Sequence, residues 1–179
     1  MVFAMRRLML LRHAKSDRSL PGMRDHERPL AARGRTAACR IGAYIAHHSL
    51  APDRTLCSTA VRTRDTWALL AQALQKPPPT TFEGRLYDAT PAAILDVLRE
   101  TATEIHCLLL VGHNPGMQDV ARALIASGDV EARERLREKF PTAGLAVIDF
   151  ALDDWNKLHA RAGRLDRFVT PRLLDTATD

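Results

Sequence analysis

The chain has 179 residues, 46 % of them apolar and 26 % charged, an ordinary globular balance that argues against disorder. That length fits one domain, residues 1–179, with a substantial core, and no apolar run is long enough to span a bilayer. The formal net charge of +5 suits either a nucleic-acid binder or an enzyme with an anionic substrate, but aromatics at 5 % leave little for base stacking, and the arginines are spread along the chain.

Taken in order, the first segment is an apolar run at Arg7–Leu11, strand-length and followed at once by Arg12, His13, Lys15 and Ser16. Arg6 and Arg7 interrupt what could otherwise be taken for a signal peptide, and no small-residue cleavage site follows; the cytoplasm is the expected compartment. Met1 and Met5 are both candidate starts. Residues 31–48 predict a helix with Ala37, Ile41, Tyr44, Ile45 and His48 on one stripe. Thr55–Cys57 predicts a second strand, and Ser58 offers an N-cap to a helix carrying Trp67, Leu70, Ala71 and Leu74. That helix must stop before Pro77-Pro78-Pro79.

Thr80–Glu83 predicts a short strand, and Thr90-Pro91 an N-cap with proline in the first turn. Cys107–Val111 is the strongest strand signal, a continuous apolar run suited to the centre of a parallel sheet. Asn114-Pro115-Gly116 makes a turn before a helix from Met117 to Ile125. Residues 129–139 predict a solvated helix, Leu145–Phe150 and Leu165–Val169 two more strands, and the C-terminus an irregular tail. Cys39, Cys57 and Cys107 lie far apart without metal spacing and predict reduced, mostly buried thiols. His47 and His48 close a helix, and His26, His106 and His159 show no partner. Strands alternating with helices predict an α/β fold, a three-layer α/β/α sandwich with a mostly parallel central sheet.

Three strands end in polar residues: the first in Arg12-His13, the second in Ser58 with Arg62 one turn on, the central one in Gly112-His113-Asn114. Sites in such sheets form beyond the carboxyl ends of the strands, so neighbouring strands would bring two histidines and two arginines together. Arginine forks match phosphoryl oxygens in pairs. A neutral imidazole can attack phosphorus and a second can stabilise the developing charge. A metal site is the other chemical reading of His13 and His113. It is disfavoured because the two arginines oppose a cation and no carboxylate sits at ligand spacing, so no metal or cofactor is expected.

The segments "LMLLRHAKS", "CSTAVRTRDT" and "LLLVGHNPG" resemble the signatures of the histidine phosphatase superfamily, and "DHERPLAARGR" and "GRLYDAT" resemble its small SixA-like phosphohistidine phosphatase branch. The resemblance runs from about Arg7 to Phe168 and implies a phosphoglycerate-mutase-like fold. It implies His13 as a nucleophile that becomes phosphorylated, Arg12 and Arg62 as phosphoryl clamps, and His113 as a polarising group. It further implies Ser16 and Arg28 as substrate contacts, and Thr142 as a residue near the pocket. Ala14 stands where many members have glycine.

Larger members protonate the leaving group with a carboxylic acid; here Glu83 is the first candidate and Asp88 the second. The SixA-like branch often lacks an obvious acid, which suits a phosphoramidate better than an alkyl phosphate. The expected function is therefore hydrolysis of phosphohistidine on signalling proteins through a covalent phosphohistidine. The alternatives are a general phosphomonoesterase on small metabolites and a non-catalytic phosphate-binding module. The expected partner is a phosphorylated protein or small phosphorylated substrate, with no nucleic acid and no membrane.

Overall fold

A computed structural model describes residues 4–176. Met1, one of the two candidate starts, lies outside them. The strands are β1 (Met5–Arg12), β2 (Arg54–Ser58), β3 (Thr80–Glu83), β4 (Cys107–Gly112), β5 (Ile125–Gly128), β6 (Leu145–Ala151) and β7 (Gly163–Val169). The helices are α1 (Ala32–His47), α2 (Val61–Ala71), α3 (Pro91–Arg99), α4 (Gly116–Leu124), α5 (Val130–Glu138) and α6 (Pro171–Thr176). One sheet takes the order β3-β2-β4-β1-β6-β7-β5. Its pairings are parallel except where β6 meets β1 and β7, so β6 alone in this sheet runs backwards.

Apolar residues fill both faces of the central strands, as a sheet covered on two sides requires. In β1, Leu8 and Leu10 pack with α3, α4 and α5, while Met9 and Leu11 pack with α1 and α2. All four are fully buried, each contributing on the order of 1.5–3 kcal/mol of hydrophobic stabilisation. This is the three-layer α/β/α arrangement. Among the described residues no helix is long and apolar enough to cross a membrane.

The register brings the polar strand ends to one level. Arg12 sits opposite Gly112 and Cys57 opposite Val111, so His13, Ser58 and His113 emerge together. Leu145 at the start of β6 sits opposite Leu11, which brings the loop before β6 to the same end.

Several elements differ from the sequence expectation. The helix predicted through Ile125 stops at Leu124, because Ile125–Gly128 is recruited as a strand against Gly163–Leu165 of β7. The tail expected to be irregular contains α6, which contacts α1. Ser58 is not a helix cap: it completes β2, and α2 starts three residues later behind Ala60. Thr90 does cap α3, accepting from the Ala93 amide at 3.2 Å. Cys57 is buried, but Cys39 is exposed. His106 does have a partner: its Nδ1 lies 2.8 Å from Nη1 of the buried Arg6, whose Nη2 donates to the carbonyls of Thr103 and Asp153 at 2.6 Å each.

Candidate active site

The ends of β1, β2 and β4 converge on a buried pair of imidazoles. The rings of His13 and His113 lie 5.2 Å apart between centroids, and both residues are more than nine-tenths buried. The His13 amide donates to the Gly112 carbonyl at 3.0 Å, locking the tip of β1 to β4.

His13 Nδ1 lies 2.7 Å from the Ala14 carbonyl. A carbonyl only accepts, so Nδ1 carries the proton and Nε2 presents its lone pair. Arg62 Nε donates toward that Nε2 at 3.3 Å. Burial, reinforced by Arg62 and Arg12, lowers His13 to about 4, so the imidazole is neutral near pH 7. Ala14 is itself fully buried, and its amide donates to Thr66 Oγ1 at 3.0 Å. Its φ is not in the left-handed region, so glycine is not required there.

His113 is held from both ring nitrogens. Arg62 Nη2 donates to Nδ1 at 3.3 Å, leaving Nε2 to donate to Ser58 Oγ at 2.7 Å. Burial lowers it to about 3, with His13 and Arg62 acting in the same direction.

Arg12 donates from Nη1 to the Phe140 carbonyl at 2.8 Å, and that carbonyl also accepts from Asn114 Nδ2 at 3.1 Å. Arg12 Nε is buried without a hydrogen-bond partner among the described residues. Burial and the neighbouring Arg18 and Arg62 oppose its charge. Arg62 has Asp25 as its counter-ion, whereas Arg12 has only a carbonyl acceptor, so a bound anion would complement the Arg12 charge. Among the described residues no group of three or more His, Cys, Asp or Glu side chains is placed to hold a metal ion.

The structure adds residues that sequence reasoning did not single out. Asp25 accepts from Arg62 twice, through Oδ2 from Nη2 at 2.9 Å and through its main-chain carbonyl from Nη1 at 2.6 Å. Tyr87 donates to Asp25 Oδ2 at 2.8 Å and meets His113 edge-on at 5.5 Å. His26, expected from the sequence to lack a partner, packs edge-on against Tyr87 and bonds Thr59 Oγ1 at 2.9 Å. Hydrogen bonds from Tyr87 and Arg62 hold Asp25 below the usual carboxylate range. Asp25 and Tyr87 lie inside the two SixA-like segments, and that is the signal that could have found them.

The remaining expected residues divide. Arg28 reaches the cluster indirectly, through an ion pair with Asp25 Oδ1. Ser16 is buried just behind His13, its backbone bridged to Leu30. Thr142 lies in the loop before β6, beside Ala143, whose amide donates to the carbonyls of Arg12 and His13 at 3.1 Å each.

Glu83 is level with Ser58 in the sheet, but its carboxylate accepts from the Arg85 amide and from Arg85 Nη2, both at 2.9 Å. None of its hydrogen bonds goes to His13, Arg62 or His113. The Arg85 contacts also hold it below its ordinary value, so it is a carboxylate and not a poised acid. Asp88 is exposed in a turn with positive φ.

Two histidines and two arginines thus converge at the carboxyl end of a mostly parallel sheet, a set chemically suited to an anion. Residues 8–90 match the family model of the histidine phosphatase superfamily (branch 1). An uncharacterized Mycobacterium tuberculosis protein is 36 % identical over 165 residues, covering 90 % of this chain and all of that protein. The solved structure of a protein assigned as phosphohistidine phosphatase SixA from Agrobacterium tumefaciens is 32 % identical. It covers 93 % of this chain and 98 % of its own, with a TM-score of 0.79. Another protein assigned as SixA, from Nakamurella, reaches a TM-score of 0.81 at 27 % identity, covering 93 % and 96 %. The chain belongs to the histidine phosphatase superfamily, a family of phosphatases that includes SixA.

Proposed function

We propose that the chain hydrolyses phosphohistidine on a protein through a covalent phosphohistidine formed on its own His13. The observation that carries this is a neutral buried nucleophile with no carboxylic acid beside it. His13 is neutral with Nε2 free of its proton, while Asp25 and Glu83 are both held as carboxylates.

The leaving group then decides the substrate class. An alkyl phosphate must expel an alkoxide and needs a proton donor. A phosphohistidine expels a neutral imidazole once its other ring nitrogen is protonated, and needs no acid from the enzyme. In the first step His13 Nε2 forms a bond to phosphorus as the P–N bond of the substrate breaks. In the second, water attacks phosphorus and His13 leaves, releasing inorganic phosphate.

Arg12 and Arg62 bind the equatorial oxygens, for which Arg12 Nε is a donor without a protein acceptor. His113 is neutral in the free site. The charge of an arriving phosphoryl group favours its protonation, after which it stabilises the transition state. Ser16 and Arg28 are assigned to substrate contact. The likeness to the proteins assigned as SixA supports the same substrate class.

A side-by-side assay tests the reading. A peptide phosphorylated on histidine with phosphoramidate should be hydrolysed with a kcat/KM at least about tenfold above that for sugar phosphates and phosphoserine. The reverse order would establish a general phosphomonoesterase. Phosphate binding with no turnover of either would establish a binding module.

A further inference from the structure

We infer that a cationic cleft beside the catalytic mouth docks an acidic segment of the substrate protein. This rests on the reading that the phosphoryl group arrives on a protein. The cleft has a volume of about 750 Å³ and lies between the start of α1, the end of α5, the loop before β6 and α6.

Its cations are Lys15, Arg33, Arg40, Arg135, Lys139 and Arg172. Arg40 is paired with Asp175 and Arg135 with Glu131. Among the described residues, Lys15, Arg33, Lys139 and Arg172 have no ion-pair partner, and Glu138 is the one lining carboxylate in the same position. The cleft therefore concentrates uncompensated positive charge that the sequence scatters over the whole chain.

The cleft shares its wall with the active site. Lys15 is two residues beyond His13, and its carbonyl accepts from the Ala31 amide at 2.9 Å, tying it to the start of α1. Thr142 lines the cleft, and the next amide, Ala143, bonds the carbonyls of Arg12 and His13. A ligand with its phosphoryl group at His13 can therefore extend along this surface.

Size and composition select the occupant. The volume lies in the range that encloses a drug-sized ligand, far beyond one phosphate. Ala37 and Pro141 supply apolar surface between the cations, which suits peptide backbone and side chains. Phe168, the aromatic in the lining, is 4 % exposed and offers no platform for a nucleobase. Acidic side chains of a protein complement this lining. Exposed pairs of this kind are individually weak and act mainly on encounter and register.

The test uses two peptides with the same phosphohistidine core, one with a four-aspartate tail and one with a four-alanine tail. At low salt the aspartate tail should raise kcat/KM about tenfold, through KM. The triple variant Arg33→Glu, Lys139→Glu, Arg172→Glu should erase that difference while leaving the alanine-tailed peptide unaffected. Equal values for the two peptides in the unmodified protein, or a difference that persists in the variant, would overturn the docking site.

Turnover of neither peptide would instead overturn the phosphohistidine reading. Fluorescence anisotropy with a labelled, unphosphorylated aspartate-rich peptide then tests the cleft alone. Binding lost in the triple variant supports docking, and binding absent or unchanged overturns it. Tighter variant-sensitive binding of a ten-nucleotide oligothymidylate than of the peptide would overturn it in favour of nucleic acid.

Discussion

Asp25 holds both ends of the Arg62 fork, with Oδ2 on Nη2 at 2.9 Å and the main-chain carbonyl on Nη1 at 2.6 Å. The same guanidinium donates from Nε to His13 and from Nη2 to His113. One residue thereby orients the group that spans both imidazoles, and its carboxylate supplies the Nη2 half of the hold. Asp25→Ala should lower kcat about 10- to 100-fold with a smaller change in KM, since misplacing a catalytic group is costly. Asp25→Asn keeps an oxygen for Nη2 and should stay within about threefold of the unmodified protein. Equal losses in the two variants would show that charge, not positioning, is what Asp25 supplies.

The two neutral imidazoles make stability depend on pH with a definite sign. Unfolded, each takes up a proton near 6.5; folded, His13 waits until about 4 and His113 until about 3. The unfolded chain binds more protons throughout that window, so native stability falls as pH drops from 6.5 toward 4. His113→Asn removes one such group. Between pH 6.5 and 4.5 it should lose less stability than the unmodified protein, by on the order of 2–3 kcal/mol in urea unfolding. An unchanged pH slope would mean that His113 is protonated in the native state.

Glu83 tests the absence of a carboxylic acid. Its carboxylate belongs to a surface cluster with Arg85, which also pairs with Glu100. Glu83→Gln should change kcat on a phosphohistidine peptide by less than about twofold. A loss of a hundredfold or more, in the range of general acid–base catalysis, would restore Glu83 as the proton donor.

Close packing behind His13 should be unforgiving. A Cβ on Gly34 would fall 2.1 Å from the Lys15 carbonyl oxygen, a backbone atom that cannot swing aside. Gly34→Ala should therefore destabilise the fold by about 1–3 kcal/mol despite the better helix propensity of alanine. Its activity should fall too, because the displaced segment is Lys15, two residues from His13. Stability within about 0.5 kcal/mol of the unmodified protein would contradict the packing.

Much of the fold was readable because apolar strands are short, uninterrupted and sharply ended. The runs before Arg12, Ser58 and Gly112 placed three strand ends, and the family segments ordered them. The reversal of β6 was not readable, since a strand buried on both faces looks the same in either direction. Nor was β5, where four residues continue a helical pattern until pairing with β7 claims them. In the site, Arg12, His13, Arg62 and His113 were legible as strand-end and first-turn residues. Asp25 was not, because its contact with Arg62 spans 37 residues of chain. Glu83 was legible in position but not in its contacts. Its strand-end position follows from the short strand predicted over Thr80–Glu83, but the bonds of its carboxylate to Arg85 depend on the turn that follows.

The central claim is that His13 Nε2 becomes covalently phosphorylated, and trapping the phosphoenzyme tests it directly. Brief incubation with a ³²P-labelled phosphohistidine peptide followed by an alkaline quench should leave label on the protein that is stable to base, lost in acid, and mapped to His13. His13→Ala should carry no label and show no turnover. Label on another residue, or turnover retained in His13→Ala, would contradict the account.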